Sequence, residues 1–535
     1  MAAKGPLART TPEETPARRG LRTLASVATA AAVFGFWAWY VLTLRGTDGD
    51  YYWHLLAGRL MLAGHPPFTR DVFSWTAAGR PWFDHEWLGE IGLALLARAG
   101  GVKAVKIAYA GAMIAWFAAV FGMFRKAGLS ARMSAWGALA TCLSAYTVLW
   151  PRMQGFSLLG MTATLALLQR WWQSGRLPRW SLLAYPIAVA LWANLHGGGA
   201  IAGPASCLVV LGIEAIVPKR LRTPGTRQLA LVTALAGVAL LCNPRTWRLI
   251  AFSLSPWLDP AIRAMNAMIP EWRAFSWDDP LCRHDTFWAA TIVGSALVAT
   301  LARGRPDARG SGQPPQRAIK LSMLGLAVVW GALGLASRRQ LPLFAIATVP
   351  LAAAILATAV GAAATLAPAP RSWLRLLVIA GVVVTVGPGV GDRVLFGPLT
   401  TGLLFPSRSA LRQAVQMAPG RHLLNLYDWG GDLELAGYPA VKDFIDGRQY
   451  LFGLPLNEAH DRMMGARPGW RRDLARYRID MVFAPPGVPL VARLARNPAW
   501  RLAFADSSAV IMLRQRVLPP ARRQAAPSEG SVAQR

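Results

Sequence analysis

The sequence predicts an α-helical polytopic membrane protein of about eleven transmembrane helices with a small C-terminal α/β domain. Three observations carry that reading. Of 535 residues, 54% are hydrophobic and 16% charged, where a soluble domain carries about a quarter charged residues. The apolar residues fall in blocks of roughly 16–23, about the length a helix needs to cross a bilayer. The 57 Lys and Arg, against 27 Asp and Glu, sit mostly in short loops between those blocks, which is the positive-inside signature. A net charge of +30 taken alone suits a nucleic-acid partner, but its confinement to those loops excludes that partner.

Residues 1–23 form a basic cytoplasmic segment with Lys4, Arg9, Arg18, Arg19 and Arg22. The next apolar stretch, 24–44, is too long for a signal-peptide core and lacks a cleavage site, so it reads as the first membrane helix. Further spans follow near 102–124, 132–150, 153–170, 180–195, 198–216, 228–243, 287–303, 319–336, 340–362 and 372–389. Short loops such as 170–179 and 219–227 are rich in arginine and are expected in the cytoplasm. The longer, mixed loops 45–101 and 244–286 are expected outside. All seven histidines then fall on the outer side, as do all acids except Glu13, Glu14, Glu214 and Asp307. Hydropathy made no use of those residues. Lys103 and Lys106 depart from the pattern, at the outer start of the second span, where they can snorkel to the interface.

The membrane domain therefore covers 24–389, and 390–515 reads as an extracytoplasmic (periplasmic) α/β domain. Strands are expected at 421–427, 441–445, 479–484 and 508–513, with helices near 468–477 and 487–496. Residues 516–535 have the composition of a disordered tail. Cys142, Cys207, Cys242 and Cys282 form no CxxC pair, which supports neither a disulfide framework nor a zinc site.

The first outer loop concentrates the chemistry. Asp48, Asp50, Asp71, Asp84, Glu86 and Glu90 share it with His54, His65 and His85 and with many aromatics. Acids just past a membrane helix serve as a general base or a metal ligand at the water boundary. An interfacial aromatic belt accounts for the aromatics, but two dense acid–histidine clusters exceed what a belt needs. Asn194-Leu195-His196-Gly197-Gly198-Gly199 sits at a second outer turn, where His196 is either a structural turn residue or a hydrogen-bond donor to substrate. Arg338 and Arg339 open a third outer turn against the topological bias; phosphate binding explains them, and so does contact with lipid head groups. Glu271-Trp272-Arg273 lies among tryptophans in the loop 244–286, a pattern that interfacial helices also produce.

Asp48-x-Asp50-x-x-Trp53-His54, Gly58, Asp71-x-Phe73-Ser74 and Trp82-x-x-His85-Glu86-Trp87 resemble a widespread group of bacterial polytopic proteins. That group in turn resembles the GT-C glycosyltransferases, which use polyprenyl-phosphate-linked sugars. The resemblance continues at Asn194–Gly198, Asn243-Pro244, Glu271-Trp272, Arg338-Arg339 before Pro342, Tyr427–Gly431 and Phe444–Arg448. It implies a GT-C-like fold in the bacterial inner membrane and a sugar transfer on the extracytoplasmic face. The partners it implies are a lipid-linked sugar donor, membrane lipids and a glycan, lipid or protein acceptor in the cell envelope. The acid of the first outer loop acts in that family as base or metal ligand, which Asp50 matches best, then Asp48, with His54 assisting. Arg338 and Arg339 are the phosphate-binding candidates, and Asp84, His85, Glu86, His196 and Glu271 the substrate-binding ones. A divalent ion such as Mg or Mn is a candidate cofactor, with Asp48 and Asp50 as its ligands. Many relatives carry a second acidic motif between the third and fourth spans, and here that turn, Leu149–Gln154, has no acid. Two rival expectations are an O-antigen polymerase or ligase and a non-enzymatic transporter or scaffold. The acids at 48–90 speak against the first, and the near absence of mid-span charge against the second.

Overall fold

The computed structural model describes residues 16–43, 49–145, 151–276, 319–365 and 405–515. The chain forms two compact units. Unit 1 comprises Met1–Val72, Gly79–Leu403 and Arg448–Leu454, and unit 2 comprises Phe73–Ala78, Leu404–Gly447 and Pro455–Arg535.

Unit 1 is helical. Its elements begin with α1 (Pro16–Thr43), α2 (Asp50–Leu62), α3 (Trp87–Lys126), α4 (Ala131–Leu143), α5 (Gln154–Ser174) and α6 (Ser181–Leu195). They continue with α7 (Gly197–Ala200), α8 (Ala202–Ala215), α9 (Pro218–Leu221), α10 (Pro224–Ala239), α11 (Trp247–Leu258) and α12 (Pro260–Asn266). The later helices run Leu321–Ala336, Leu341–Ala347 and Val349–Thr365. The expected spans 287–303 and 372–389, with residue 44 and residues 146–150 of two others, lie outside the described residues, and the described parts of the other spans lie mostly on helix. Among the described residues only Thr23–Leu42, Trp87–Lys126 and Gly197–Ala215 are by themselves long and apolar enough to cross a membrane. A fourth candidate, Arg338–Ala347 with Val349–Thr358, bends by 43°. The second expected span begins well before residue 102, because α3 starts at Trp87 and passes a kink at Gly100 and Gly101.

Side-chain caps start several helices. Ser130 accepts from the Met133 N–H at α4, and Thr223 from Thr226 at α10, where Pro224 fills the first turn. The core is tied by indoles that bury their rings and donate their one N–H across helices. Trp37 bonds the Met113 carbonyl at 3.0 Å, Trp116 bonds Thr162 at 2.9 Å, and Trp330 bonds Ser206 at 3.0 Å. A tail segment completes the unit. Arg448 bonds Asp71 at 2.8 Å with both side chains fully buried, and its guanidinium lies 4.5 Å from the Trp82 ring. In the next turn, Gln449 donates to the Met265 carbonyl and Tyr450 to that of Phe83, each at 2.9 Å.

Unit 2 holds a four-stranded sheet in the order β1-β2-β4-β3, from β1 (Leu423–Asn425), β2 (Met481–Ala484), β3 (Trp500–Ala505) and β4 (Val510–Arg514). β1 and β2 are parallel, and the other two pairings are antiparallel. Leu423, Trp429, Leu433, Met481, Phe483 and Ile511 pack its core. The segment 441–445 is not the strand its composition suggests. Asp443 makes one isolated bridge to Ser74, and the Asn425 side chain bonds the Phe444 N–H at 2.7 Å and the Ile445 carbonyl at 2.8 Å. One amide thus takes the place of a ladder. The helices Trp470–Arg476 and Pro489–Leu494 fall where amphipathic patterning put them. β3 was not expected, being an edge strand whose side chains are largely exposed.

Candidate functional site

The polar groups of unit 1 gather at the N-terminal ends of α2, α3 and α5, the C-terminal end of α6, and the turns at Pro270–Trp272 and Arg338–Gln340. Two glycines allow this convergence. A Cβ on Gly58 of α2 would stand 2.0 Å from the Glu90 carbonyl oxygen of α3. One on Gly199 would stand 2.1 Å from the Ser157 hydroxyl. Only glycine lets backbones approach so closely.

A first network is ionic. Asp50 opens α2 and accepts from the Trp53 indole at 3.1 Å, while Arg152 lies 3.8 Å from its other oxygen. Arg152 also bonds Glu271 at 3.2 Å. The second Glu271 oxygen pairs with Arg339, whose guanidinium lies 4.9 Å from the Trp272 ring and donates to the Gln154 amide oxygen. Burial alone would raise the Glu271 carboxyl, but Arg339 and Arg152 together outweigh it and hold it below its usual value. Each of these four charged side chains keeps between 21% and 30% of its surface exposed, so the chain faces open space.

The second network is buried. His54 stands between two acids, with Nδ1 2.8 Å from Glu90 and Nε2 3.3 Å from Glu86. The other Glu86 oxygen lies 3.3 Å from His196 Nε2 and 3.8 Å from His85 Nε2. His196 Nδ1 is 2.6 Å from the Ser157 hydroxyl, which accepts from the Trp192 indole at 2.9 Å. Burial, more than any neighbouring charge, holds His54 and His196 well below the ordinary imidazole value. It brings His85 down to about 4, against a bond to the Phe83 carbonyl. These imidazoles are therefore neutral at physiological pH. Burial raises Asp84 to about 6, although the Glu86 N–H and Arg245 oppose it.

Of the residues expected from sequence, Asp50, His54, His85, Glu86, His196, Glu271 and Arg339 belong to these two networks. Asp48 lies outside the described residues. Asp84 is buried beneath the networks, with one oxygen on the Glu86 N–H at 3.3 Å. Arg338 is buried, and its backbone N–H and guanidinium bond the carbonyls of Arg273 and Pro270, so it fastens the 270–273 turn. Arg152, in the turn Leu149–Gln154 that lacks an acid, links Asp50 to Glu271. Ser157 lies in an apolar helix, where its spacing carries no signal.

A divalent ion does not fit the described donors around Asp50, since an indole N–H occupies one oxygen and a guanidinium flanks the other. The described carboxylates close enough to share an ion are Glu434, Asp443 and Asp446 of unit 2, whose ligand atoms lie within 4.8 Å of one another. There a Cβ on Gly430 would meet Asp443 Oδ2 at 2.9 Å, so the group packs against the start of the helix Gly430–Gly437.

No protein-family model matches the chain, and neither does any curated protein. Among solved structures the chain resembles ArnT from Cupriavidus metallidurans in the apo state, with a TM-score of 0.48 and 17% identity, over 93% of this chain and 98% of that one. It also resembles ArnT from Cupriavidus metallidurans bound to undecaprenyl phosphate, with a TM-score of 0.47 and 14% identity, over 92% and 97%. At that level of likeness, function has to be argued from the chain's own residues.

Proposed function

We propose that the chain is a membrane glycosyltransferase of GT-C type that moves a sugar from a polyprenyl-phosphate donor to an acceptor hydroxyl on the extracytoplasmic face. The observation that carries this reading is the linked series Asp50–Arg152–Glu271–Arg339. Arginine binds phosphate through paired N–H donors. Here two arginines share one anion, the Glu271 carboxylate, at the edge of open space. The donor phosphate takes that position. Asp50, with a guanidinium beside it, presents a carboxylate to the acceptor hydroxyl and removes its proton. The hydroxyl oxygen attacks the anomeric carbon from the side opposite the phosphate and inverts that centre. Catalysis of this kind is mostly positioning and electrostatics.

The acceptor is a glycan, a lipid or a protein. The reading includes a bacterial inner membrane, a cytoplasmic N-terminus and an extracytoplasmic C-terminal domain, in line with the side on which acids and histidines fall. It is tested by Asp50→Asn. That variant should insert and fold as the parent does and lose sugar transfer from a polyprenyl-phosphate donor. Transfer at the parent's rate would contradict the reading.

A further inference from the structure

The buried network fixes where a proton must be. The Trp192 indole can only donate, so the Ser157 oxygen accepts from it, and the hydroxyl hydrogen points to its nearest acceptor, His196 Nδ1. His196 then carries its one hydrogen on Nε2 and gives it to Glu86. At the other end, neutral His54 has one N–H and one bare nitrogen, and each faces a carboxyl group, that of Glu90 or that of Glu86. A bare nitrogen needs a donor. The donor is Glu90 when His54 carries its hydrogen on Nε2 and gives it to Glu86, and the O–H of Glu86 is then a second proton, separate from the one Glu90 holds. The second Glu90 oxygen is buried and has no hydrogen-bond partner among the described residues. Glu86 keeps 11% of its side chain exposed, whereas Glu90 keeps none. Of the two carboxyls, Glu86 is therefore the one with an exposed edge.

We infer that Glu86 is the general acid of the reaction, giving its proton to the departing phosphate oxygen, and that Glu90 reloads it through His54; this rests on the glycosyltransferase reading above. Every proton has a donor and a destination. The acceptor O–H bond breaks and its proton goes to Asp50. The acceptor oxygen bonds the anomeric carbon, and the carbon–oxygen bond to phosphate breaks with its electron pair left on phosphate. The Glu86 O–H protonates that oxygen. His54 then gives its Nε2–H to Glu86 and takes the Glu90 proton at Nδ1, Asp50 releases its proton to water, and Glu90 regains one from water along the same path in reverse.

Two carboxyls in one pocket, one paired with cations and one buried against imidazoles, are how an enzyme separates base from acid. The charges facing Glu86 are Asp50 from α2, Asp84 from the loop before α3, and Arg339 from the 338–340 turn. His85 and Arg448 face His54, and Tyr450 faces Glu86 from the tail turn. Burial, then Asp50, raises the Glu86 carboxyl to about 8, with Arg339 opposing. An acid must be protonated to act, so turnover falls as pH rises through about 8.

Transfer is followed against pH in lipid nanodiscs with a polyprenyl-phosphate sugar, for the parent, Glu86→Gln and Glu90→Gln. Glu86→Gln should lose about 100-fold in kcat, keep its donor KM within about twofold and lose the alkaline limb. Glu90→Gln keeps the bond to His54 but holds no transferable proton; it should lose about tenfold in kcat at unchanged donor KM. Parental kcat in either variant, or an alkaline limb that survives Glu86→Gln, overturns the assignment. Infrared pH-difference spectra add a readout independent of turnover. A protonated-carboxyl band should titrate near pH 8 in the parent. If Glu86→Gln does not fold, that band and Glu90→Gln carry the test. A parent that transfers sugar without such a band defeats the general-acid step alone. A parent that shows the band and transfers no sugar defeats the glycosyltransferase reading, and the step with it.

Discussion

At the scale of single residues, the site depends on contacts that tolerate no added atom. Gly199 is the clearest case. An alanine there places Cβ 2.1 Å from the Ser157 hydroxyl and 2.9 Å from His196 Nδ1, so the bond between those two must break or the turn must move. Gly199→Ala should lower sugar transfer at least about tenfold, since a hydrogen bond that orients the general-acid array is lost. Unfolding temperature and transfer rate, measured together, check this, and parental transfer would count against the role given to His196. Sequence carried part of this arrangement. The run His196-Gly197-Gly198-Gly199 marked a turn, and His54, His85 and Glu86 stood out as acids and imidazoles in an apolar chain. It could not carry the partner. Ser157 is one hydroxyl among many in apolar helices, and its importance comes from lying 2.6 Å from His196. Arg152 was hidden for a related reason, because a lone arginine after a proline looks the same whether it meets lipid or an acid.

At the scale of elements, the close packing of α2 on α3 sets the separation of His54 and Glu90. Gly58 sits at that contact, and the atom an added Cβ would meet is a backbone carbonyl, which cannot swing aside as a side chain can. Gly58→Ala should destabilise the protein by about 1–3 kcal/mol, the usual cost of overpacking. It should also lengthen the 2.8 Å contact between His54 and Glu90. Thermal unfolding in detergent and the alkaline limb of the pH profile read the two effects. An unchanged midpoint would mean that the helices move apart at little cost. Helix positions were legible because apolar blocks recur at membrane length. Their ends were less so: α3 begins at Trp87, since the polar residues at its start face the site and not water. Within unit 2, the edge strand β3 escaped notice because its exposed side chains weaken the apolar signal on which strand recognition rests.

At the scale of the whole molecule, neither unit is continuous in the chain. Unit 1 takes in Arg448–Leu454 and unit 2 takes in Phe73–Ala78. The pairing of Arg448 with Asp71 spans 377 residues, and no local pattern announces such a partner. Composition, in contrast, speaks for the whole chain at once, which is why the apolar, helical class is legible in the sequence alone. The central proposal is that Arg152 and Arg339, which share the Glu271 carboxylate, bind the donor phosphate. The most direct measurement is the affinity of the nanodisc-embedded protein for polyprenyl phosphate, compared with Arg152→Ala and Arg339→Ala. Loss of a charge-assisted pair should weaken binding at least about tenfold in each variant. Affinities equal to the parent's in both variants would contradict the account.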